Sequence, residues 1–264
     1  KSTVDSVRRP MIADMPIAVP PHEEQEAIVD YLDRETAQID TLISKQEQLI
    51  ATLRERTSSL RSSLLAEDGE RRRTVVRRAL EKLNRVPLAG QGVITAYRDG
   101  VVTLRSNRRE GGYTFSDTEA GYQGIEPGDV VFHALDGFAG AVGVSDSRGV
   151  GSPGYHVCRP RGGVDPNYVA ELLRFLGTSG FLTQQAPNVR ERSIDFRNWQ
   201  TFARVPLELP DLERQKAVVR KLAEHDRLTA SLSAKAERFI ELAKERRAAL
   251  ITAAVTGQID VRAA

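Results

Sequence analysis

Arginine, asparagine and glutamine gather at two places in the middle of the chain. The first holds Arg98, Arg105, Asn107, Arg108 and Arg109, with Tyr113 just beyond; the second holds Gln184, Gln185, Asn188, Arg190 and Arg192. These side chains carry the fork and amide geometries that match guanine and adenine edges in the major groove of duplex DNA. Between residues 89 and 209 there are twelve Arg and no Lys. That bias suits bidentate hydrogen bonding rather than a diffuse positive field. The bland alternative is that each Arg pairs with one of the Asp and Glu residues scattered through the same stretch.

Other chemistry is missing. No Gly-x-x-x-x-Gly-Lys-Ser/Thr loop is present to cradle phosphates, and no Gly-x-Ser-x-Gly elbow to carry a nucleophile. One Cys and four His, at positions 22, 133, 156 and 225, give no zinc spacing. No Asn/Asp-Pro-Pro-aromatic tetrad for amino-group methylation occurs. The expectation is a non-catalytic chain that binds no cofactor and no metal.

The elements that must position these clusters can be read around them. From residue 89 to 209, short β-branched runs alternate with Gly, Asp and Pro: GVITAYR, GVVTLRS, GGYTFS, GDVVFHAL, GAVGVS and GYHVCRP. These are strand signals, and EPGD at 126–129 is a turn before a strand. Residues 165–186 read as a helix capped by Asp165 with Pro166 in its first turn, ended or interrupted at Gly177 and Gly180. The body at 89–209 is therefore α+β.

Two long helices flank it. Residues 22–65 contain no Gly or Pro, and Ile28, Leu32, Ile39, Leu42, Leu49, Leu53 and Leu60 fit an a/d heptad seam. Such a helix spans about 65 Å and, with one narrow apolar stripe, needs a long partner. The partner is a repeat: residues 191–255 lie over residues 1–65 without a gap and with sixteen identities. The second seam is expected at Val218, Leu222, His225, Thr229, Leu232, Ala236, Phe239, Ala243, Arg246 and Leu250. Between the first helix and the body, residues 68–88 are Arg-rich and read as a basic linker, either a solvated face or a phosphate-tracking arm, with Val75, Val76, Leu80 and Leu83 able to form a short helix.

Composition bounds the rest. Net charge is +2, so any nucleic-acid site is a local patch. The single Cys158 fits a reducing compartment, and no apolar run approaches membrane-spanning length, so a cytoplasmic protein is expected.

Three segments resemble one family. PPHEEQEAIVDYLD with its continuation to residue 56, GDVVFHALDGFAGAVGVS (128–145) with SPGYHVCRP (152–160), and ERRAALITAAVTGQIDV (245–261) are similar to the specificity (S) subunits of type I restriction–modification systems. The resemblance implies an α+β chain: one globular α/β target recognition domain plus two long helices packed as an antiparallel coiled coil. It assigns 1–19 to the C-terminal tail of a missing first recognition domain, 20–67 to the first conserved helix and 68–88 to a basic linker. It assigns 89–209 to the second target recognition domain and 210–264 to the second conserved helix and tail, so the chain is expected to be a fragment. It implies double-stranded DNA as ligand, two methyltransferase subunits as partners, and endonuclease/translocase subunits through the complex. Arg98, Arg105, Asn107, Arg108, Arg109, Tyr113, Asn188, Arg190 and Arg192 are the expected DNA-binding residues. Glu55, Arg56, Glu245 and Arg246, equivalent in the repeat, are the expected partner-binding residues, with simple ion pairing as the alternative. The competing function is a coiled-coil interaction scaffold that binds no DNA.

Overall fold

A computed structural model of the chain describes residues 13, 19–67, 69–88, 90–108, 121–185, 189–190 and 193–261, the side chains of 189, 190, 193 and 194 excepted. The chain divides into two units, residues 55–228 and residues 1–54 with 229–264.

The larger unit is the body. In chain order it holds the end of helix α1 (His22–Ala66), then β1 (Arg72–Val75), the single turn α2 (Val76–Ala79), β2 (Leu80–Lys82), β3 (Ile94–Ala96) and β4 (Val102–Leu104). There follow β5 (Gln123–Ile125), β6 (Val130–His133), β7 (Val142–Val144), β8 (Gly149–Gly151), β9 (Tyr155–Pro160), α3 (Pro166–Thr178) and α4 (Phe181–Gln185). The two-residue strands β10 (Val189–Arg190) and β11 (Ser193–Ile194), α5 (Trp199–Phe202), β12 (Pro206–Leu209) and the start of α6 (Leu212–Val255) complete it.

The central sheet runs β2-β9-β6-β7, every neighbour antiparallel. Its strands alternate. Val130, Phe132 and Cys158 face α3, where Tyr168, Val169, Leu172 and Leu173 are buried, together with Phe196, Phe202, Leu207 and Leu209. Val131, Tyr155 and Val157 face the other way, onto Ile94, Ala96 and Val102 of the β3–β4 hairpin. Period-2 patterning thus builds one core on each face of the sheet. The Asp165 cap forms as its sequence suggests: Oδ1 accepts from the N–H groups of Asn167 and Tyr168 at 2.9 and 3.0 Å. Gly180, with φ +82°, ends α3 and lets α4 begin.

The segment expected as a linker is part of the body. β1 pairs antiparallel with β12, Arg72 opposite Leu209, and β2 joins the sheet beside β9. Val76, Ala79 and Leu80 are fully buried. The Arg-rich composition described only the outward side of a strand–turn–strand, and the short helix expected from Val75 to Leu83 shrinks to the four residues of α2.

Within the body, the end of α1 and the start of α6 run antiparallel. Leu60, Leu64 and Leu65 pack with Val218 and Leu222 in the body's core. Arg61 pairs with Asp226, and Glu67 with Arg214. Gln215, fully buried, fastens the start of α6. Its Oε1 accepts from the Asp165 N–H at 2.9 Å, and its Nε2 donates to the carbonyls of Gly163 (3.2 Å) and Pro210 (2.8 Å). Gln25, its equivalent in the repeat, donates to the Pro20 carbonyl at the same 2.8 Å.

The smaller unit is the rest of the two helices, packed through Ile39, Ile43, Ile240, Ala243 and Leu250 and tied by an Asp40–Arg247 ion pair at 3.1 Å. The bounds of α1 and α6 differ by the 190 residues of the sequence repeat at their starts, 22 and 212. The seam differs from the expected one. The inward positions are Ile28, Leu32, Glu35, Ile39, Ile43, Gln46, Ile50, Leu53, Thr57 and Leu60. On α6 they are Val218, Leu222, His225, Thr229, Ser233, Ala236, Ile240, Ala243, Arg247 and Leu250. Both series step by four twice in succession, at Ile39 and at the equivalent Thr229. This is a stutter, a local insertion of four residues in the heptad that unwinds the supercoil. After it, Ile43 and Ile50 face inward, while Leu42 and Leu49 are 45% and 42% exposed. On α6, Leu232, Phe239 and Arg246 are likewise outside rather than in the seam.

Candidate nucleic-acid interface

The first cluster stands on the β3–β4 hairpin. Ile94 and Ala96 of β3, with Val102 of β4, go into the core, so Thr95 and Thr103, paired across the ladder, carry the opposite face. The 3-10 turn Arg105–Asn107 follows β4, held by the Arg105 N–H on the Val93 carbonyl at 2.8 Å. Two side chains of the turn reach back to those threonines: Arg105 Nε to Thr95 Oγ1 at 3.3 Å and Asn107 Nδ2 to Thr103 Oγ1 at 2.9 Å. The guanidinium of Arg108 lies 4.5 Å from the centre of the Tyr97 ring and 2.7 Å from Asp99 Oδ2. A cation over an aromatic face with a carboxylate beside it is held in one orientation. Arg98 meets Asp136 at 3.1 Å.

Arg98, Arg105, Asn107 and Arg108 are therefore gathered on and beside one hairpin. Asn107 is exposed, with its Nδ2 bonded to Thr103. Arg108 is more deeply engaged than composition suggested. Tyr97 and Asp99, which the sequence reading did not select, orient it; the alternation of Thr95, Tyr97 and Asp99 along β3 and its turn is the signal that could have identified them. Arg109, Tyr113, Asn188 and Arg192 and the side chain of Arg190 lie outside the described residues. The backbone of β11 packs beside the turn Gly137–Ala139, which follows Asp136. The second cluster's hairpin and the Arg98–Asp136 pair thus border the same loop.

His133 stands at this edge. Its Nδ1 accepts from the N–H groups of Leu135 and Asp136, both at 3.2 Å, so the ring proton sits on Nε2. Burial holds the His133 pKa below its usual value, against the attraction of Asp136. His156 is buried deeper, stacked near Phe132 and Phe202, with Nε2 donating to the Phe196 carbonyl at 2.6 Å; burial lowers its pKa too. Both imidazoles belong to the packing of the body. Among the described residues no cluster of His, Cys, Asp and Glu could hold a metal ion, and no helix is long and apolar enough to cross a membrane.

Of the expected partner-binding residues, Glu55 and Arg56 are exposed on α1, and Glu245 and Arg246 are exposed on α6. None of the four makes an ion pair among the described residues. In the smaller unit the Asp40–Arg247 pair sets the register, and combined with the 190-residue repeat it places a pseudo-two-fold axis between residues 48 and 49 of α1 and 238 and 239 of α6. An axis that exchanges two antiparallel helices is normal to the plane holding both, so equivalent residues share one face. Leu42 and Leu49 therefore lie on the same face as Leu232 and Phe239, all four exposed.

Neither a family model nor a curated protein matches the chain in sequence. The fold does have solved counterparts. One is a chain from a structure on complex assembly and conformational transition of the type I R-M system, with TM-score 0.67 and 15% identity over 90% of this chain and 60% of that one. Another is the HsdS subunit from Thermoanaerobacter tengcongensis, with TM-score 0.55 and 15% identity over 98% of this chain and 65% of that one. The chain thus has the fold of a type I specificity subunit, an α+β body with two long antiparallel helices. It spans about three-fifths of the length of the solved chains it matches.

Proposed function

We propose that the chain is a non-catalytic, sequence-specific DNA-binding specificity subunit of a type I restriction–modification complex. The body reads one half of a bipartite site in double-stranded DNA. The paired helices hold methyltransferase and endonuclease subunits on that site and set the spacing between half-sites. The likeness of the fold to type I specificity subunits carries this reading. Because fold alone does not give function, the β3–β4 face supplies the chemistry: the exposed Asn107, and Arg105 beside it, are side chains suited to base edges. Arg108, fixed by Tyr97 and Asp99, frames this face. The exposed Leu42, Leu49, Leu232 and Phe239 give the helix pair an apolar docking surface, and its pseudo-two-fold matches two copies of one partner.

The test is a titration of labelled duplex DNA with the full chain across a range of salt. Binding whose affinity falls steeply with salt supports the reading. Asn107→Ala and Arg105→Ala should each cost about 1–3 kcal/mol on the preferred duplex and much less on others. Absence of any duplex binding would leave the helix pair as a protein scaffold only.

A further inference from the structure

Arginines in the body differ in their partners. Several are neutralised, among them Arg61 by Glu171 and Asp226, Arg73 by Glu208, Arg85 by Asp129, Arg98 by Asp136, Arg148 by Glu126 and Arg197 by Asp195. A second group gathers around the single turn α2. Arg77 and Arg78 point outward from it, while Val76 and Ala79 are buried. The backbone locks two further arginines beside them. Arg77 N–H donates to the Ala203 carbonyl at 3.1 Å and Val76 N–H to the Val205 carbonyl at 3.0 Å, which puts exposed Arg204 next to Arg77. Arg161 N–H donates to the Ala79 carbonyl at 2.8 Å, which puts exposed Arg161 next to Arg78. None of the four has an ion pair among the described residues. The carboxylate nearest in register, Glu81, stands opposite Arg159 across the β2–β9 ladder.

Four like charges held together by a rigid backbone repel one another, and that cost is relieved when an anion bridges them. We propose that Arg77, Arg78, Arg161 and Arg204 form a phosphate-binding patch for the backbone of duplex DNA, separate from the base-reading face. The inference rests on the DNA-reading function proposed above. The patch sits where β2 and β9 pair at Leu80–Pro160, whereas the Arg98–Asp136 pair follows the other end of the sheet, where His133 pairs with Tyr155. The six residues of β9 separate the two places by roughly 20 Å at the rise of an extended strand. That is the span of about six base pairs. Phosphate binding at the patch fixes orientation and register, and base recognition on the β3–β4 face supplies selectivity.

The experiment is the salt dependence of binding, by fluorescence anisotropy, of the full chain to two duplexes of unrelated sequence. The variants are Arg77→Gln/Arg78→Gln/Arg161→Gln/Arg204→Gln and the matching quadruple Lys variant. Each phosphate that is no longer neutralised makes the slope of log K against log salt shallower by about one. The slope of the Gln variant should therefore fall by about two to four, and it should bind both duplexes more weakly by a similar factor, while the Lys variant keeps most of the slope. An unchanged slope in the Gln variant, with the unaltered chain still binding DNA, overturns the patch and leaves these arginines to an acidic protein surface or to solvent. An equal fall in the Lys and Gln variants also overturns it, since the arginines would then be holding the body's structure. Failure of the unaltered chain to bind either duplex removes the DNA-reading function itself and the patch with it.

Discussion

Arg61 of α1 reaches across to Asp226 of α6, and its Nε lies 3.1 Å from Glu171 of α3. One guanidinium therefore joins both long helices to α3 of the body, and it is only 19% exposed. Glu171 also attracts Arg174, whose pKa is lowered by burial beside Arg61. Replacing Arg61 leaves two carboxylates facing each other in a partly dry site. Arg61→Ala should destabilise the body by about 1–3 kcal/mol, less than a fully buried pair would lose because Asp226 is 41% exposed. Urea denaturation followed by circular dichroism measures it; a loss comparable to that of an exposed ion pair, under about 1 kcal/mol, would show the junction to be unimportant.

The stutter makes neighbouring apolar residues unequal. Ile43 is buried between the helices, and Leu42 is 45% exposed. Ile43→Ala should cost about 2–4 kcal/mol and Leu42→Ala well under about 1 kcal/mol. Thermal unfolding of the two variants decides between this seam and an unbroken heptad, which would reverse the order.

Stability should fall toward both acid and alkali. Burial keeps the folded-state pKa of His156 below 6.5, and that of His133 as well. Below pH 6.5 the unfolded chain takes up protons that the folded chain refuses, so stability declines as pH falls. His156→Phe, which preserves stacking near Phe132 and Phe202, should flatten part of that acid limb. Burial pushes the Cys158 thiol from 9.0 up to about 12. Between those values the unfolded thiol ionises and the folded one does not, so stability also declines above about pH 9. Urea midpoints measured from about pH 5 to 10 give both limbs, and a midpoint flat on the acid side would contradict the burial of the two histidines.

Under the proposed function, methyltransferase subunits dock on an exposed face of the helix pair rather than in its seam. Leu42→Ser with Phe239→Ser, and separately charge reversal at Arg56 and Arg246, should each abolish capture of methyltransferase subunits in a pull-down while the helical circular dichroism signal stays unchanged. Undiminished capture by both variants would move the docking site elsewhere.

The helices were legible because nothing between residues 22 and 65 breaks them and because the repeat supplies the partner. Their seam was only half legible. Leu42–Ile43 and Leu49–Ile50 are adjacent apolar pairs, either member of which suits a heptad, and the choice is made by packing after Ile39. Strands β3, β4, β6, β7 and β9 and the Asp165 cap followed from local chemistry, while the strand expected at 111–116 lies outside the described residues. The fate of residues 68–88 did not, because β1 depends on a partner at 206–209, far away in sequence. On the β3–β4 hairpin and the turn after it, residue type picked out Arg105, Asn107 and Arg108 as candidates. That Arg108 is committed to Tyr97 and Asp99 depends on a ladder pairing and the turn after it, which composition does not contain.

The most direct test of DNA reading is selection by the full chain from a pool of random duplexes at moderate salt, followed by sequencing of the bound fraction. Enrichment of one short run of defined bases, lost or relaxed in Asn107→Ala, is the expected result. Retention of DNA with no enriched sequence, or with enrichment unchanged by substitutions at Arg105, Asn107 and Arg108, would contradict a base-reading role for the β3–β4 face.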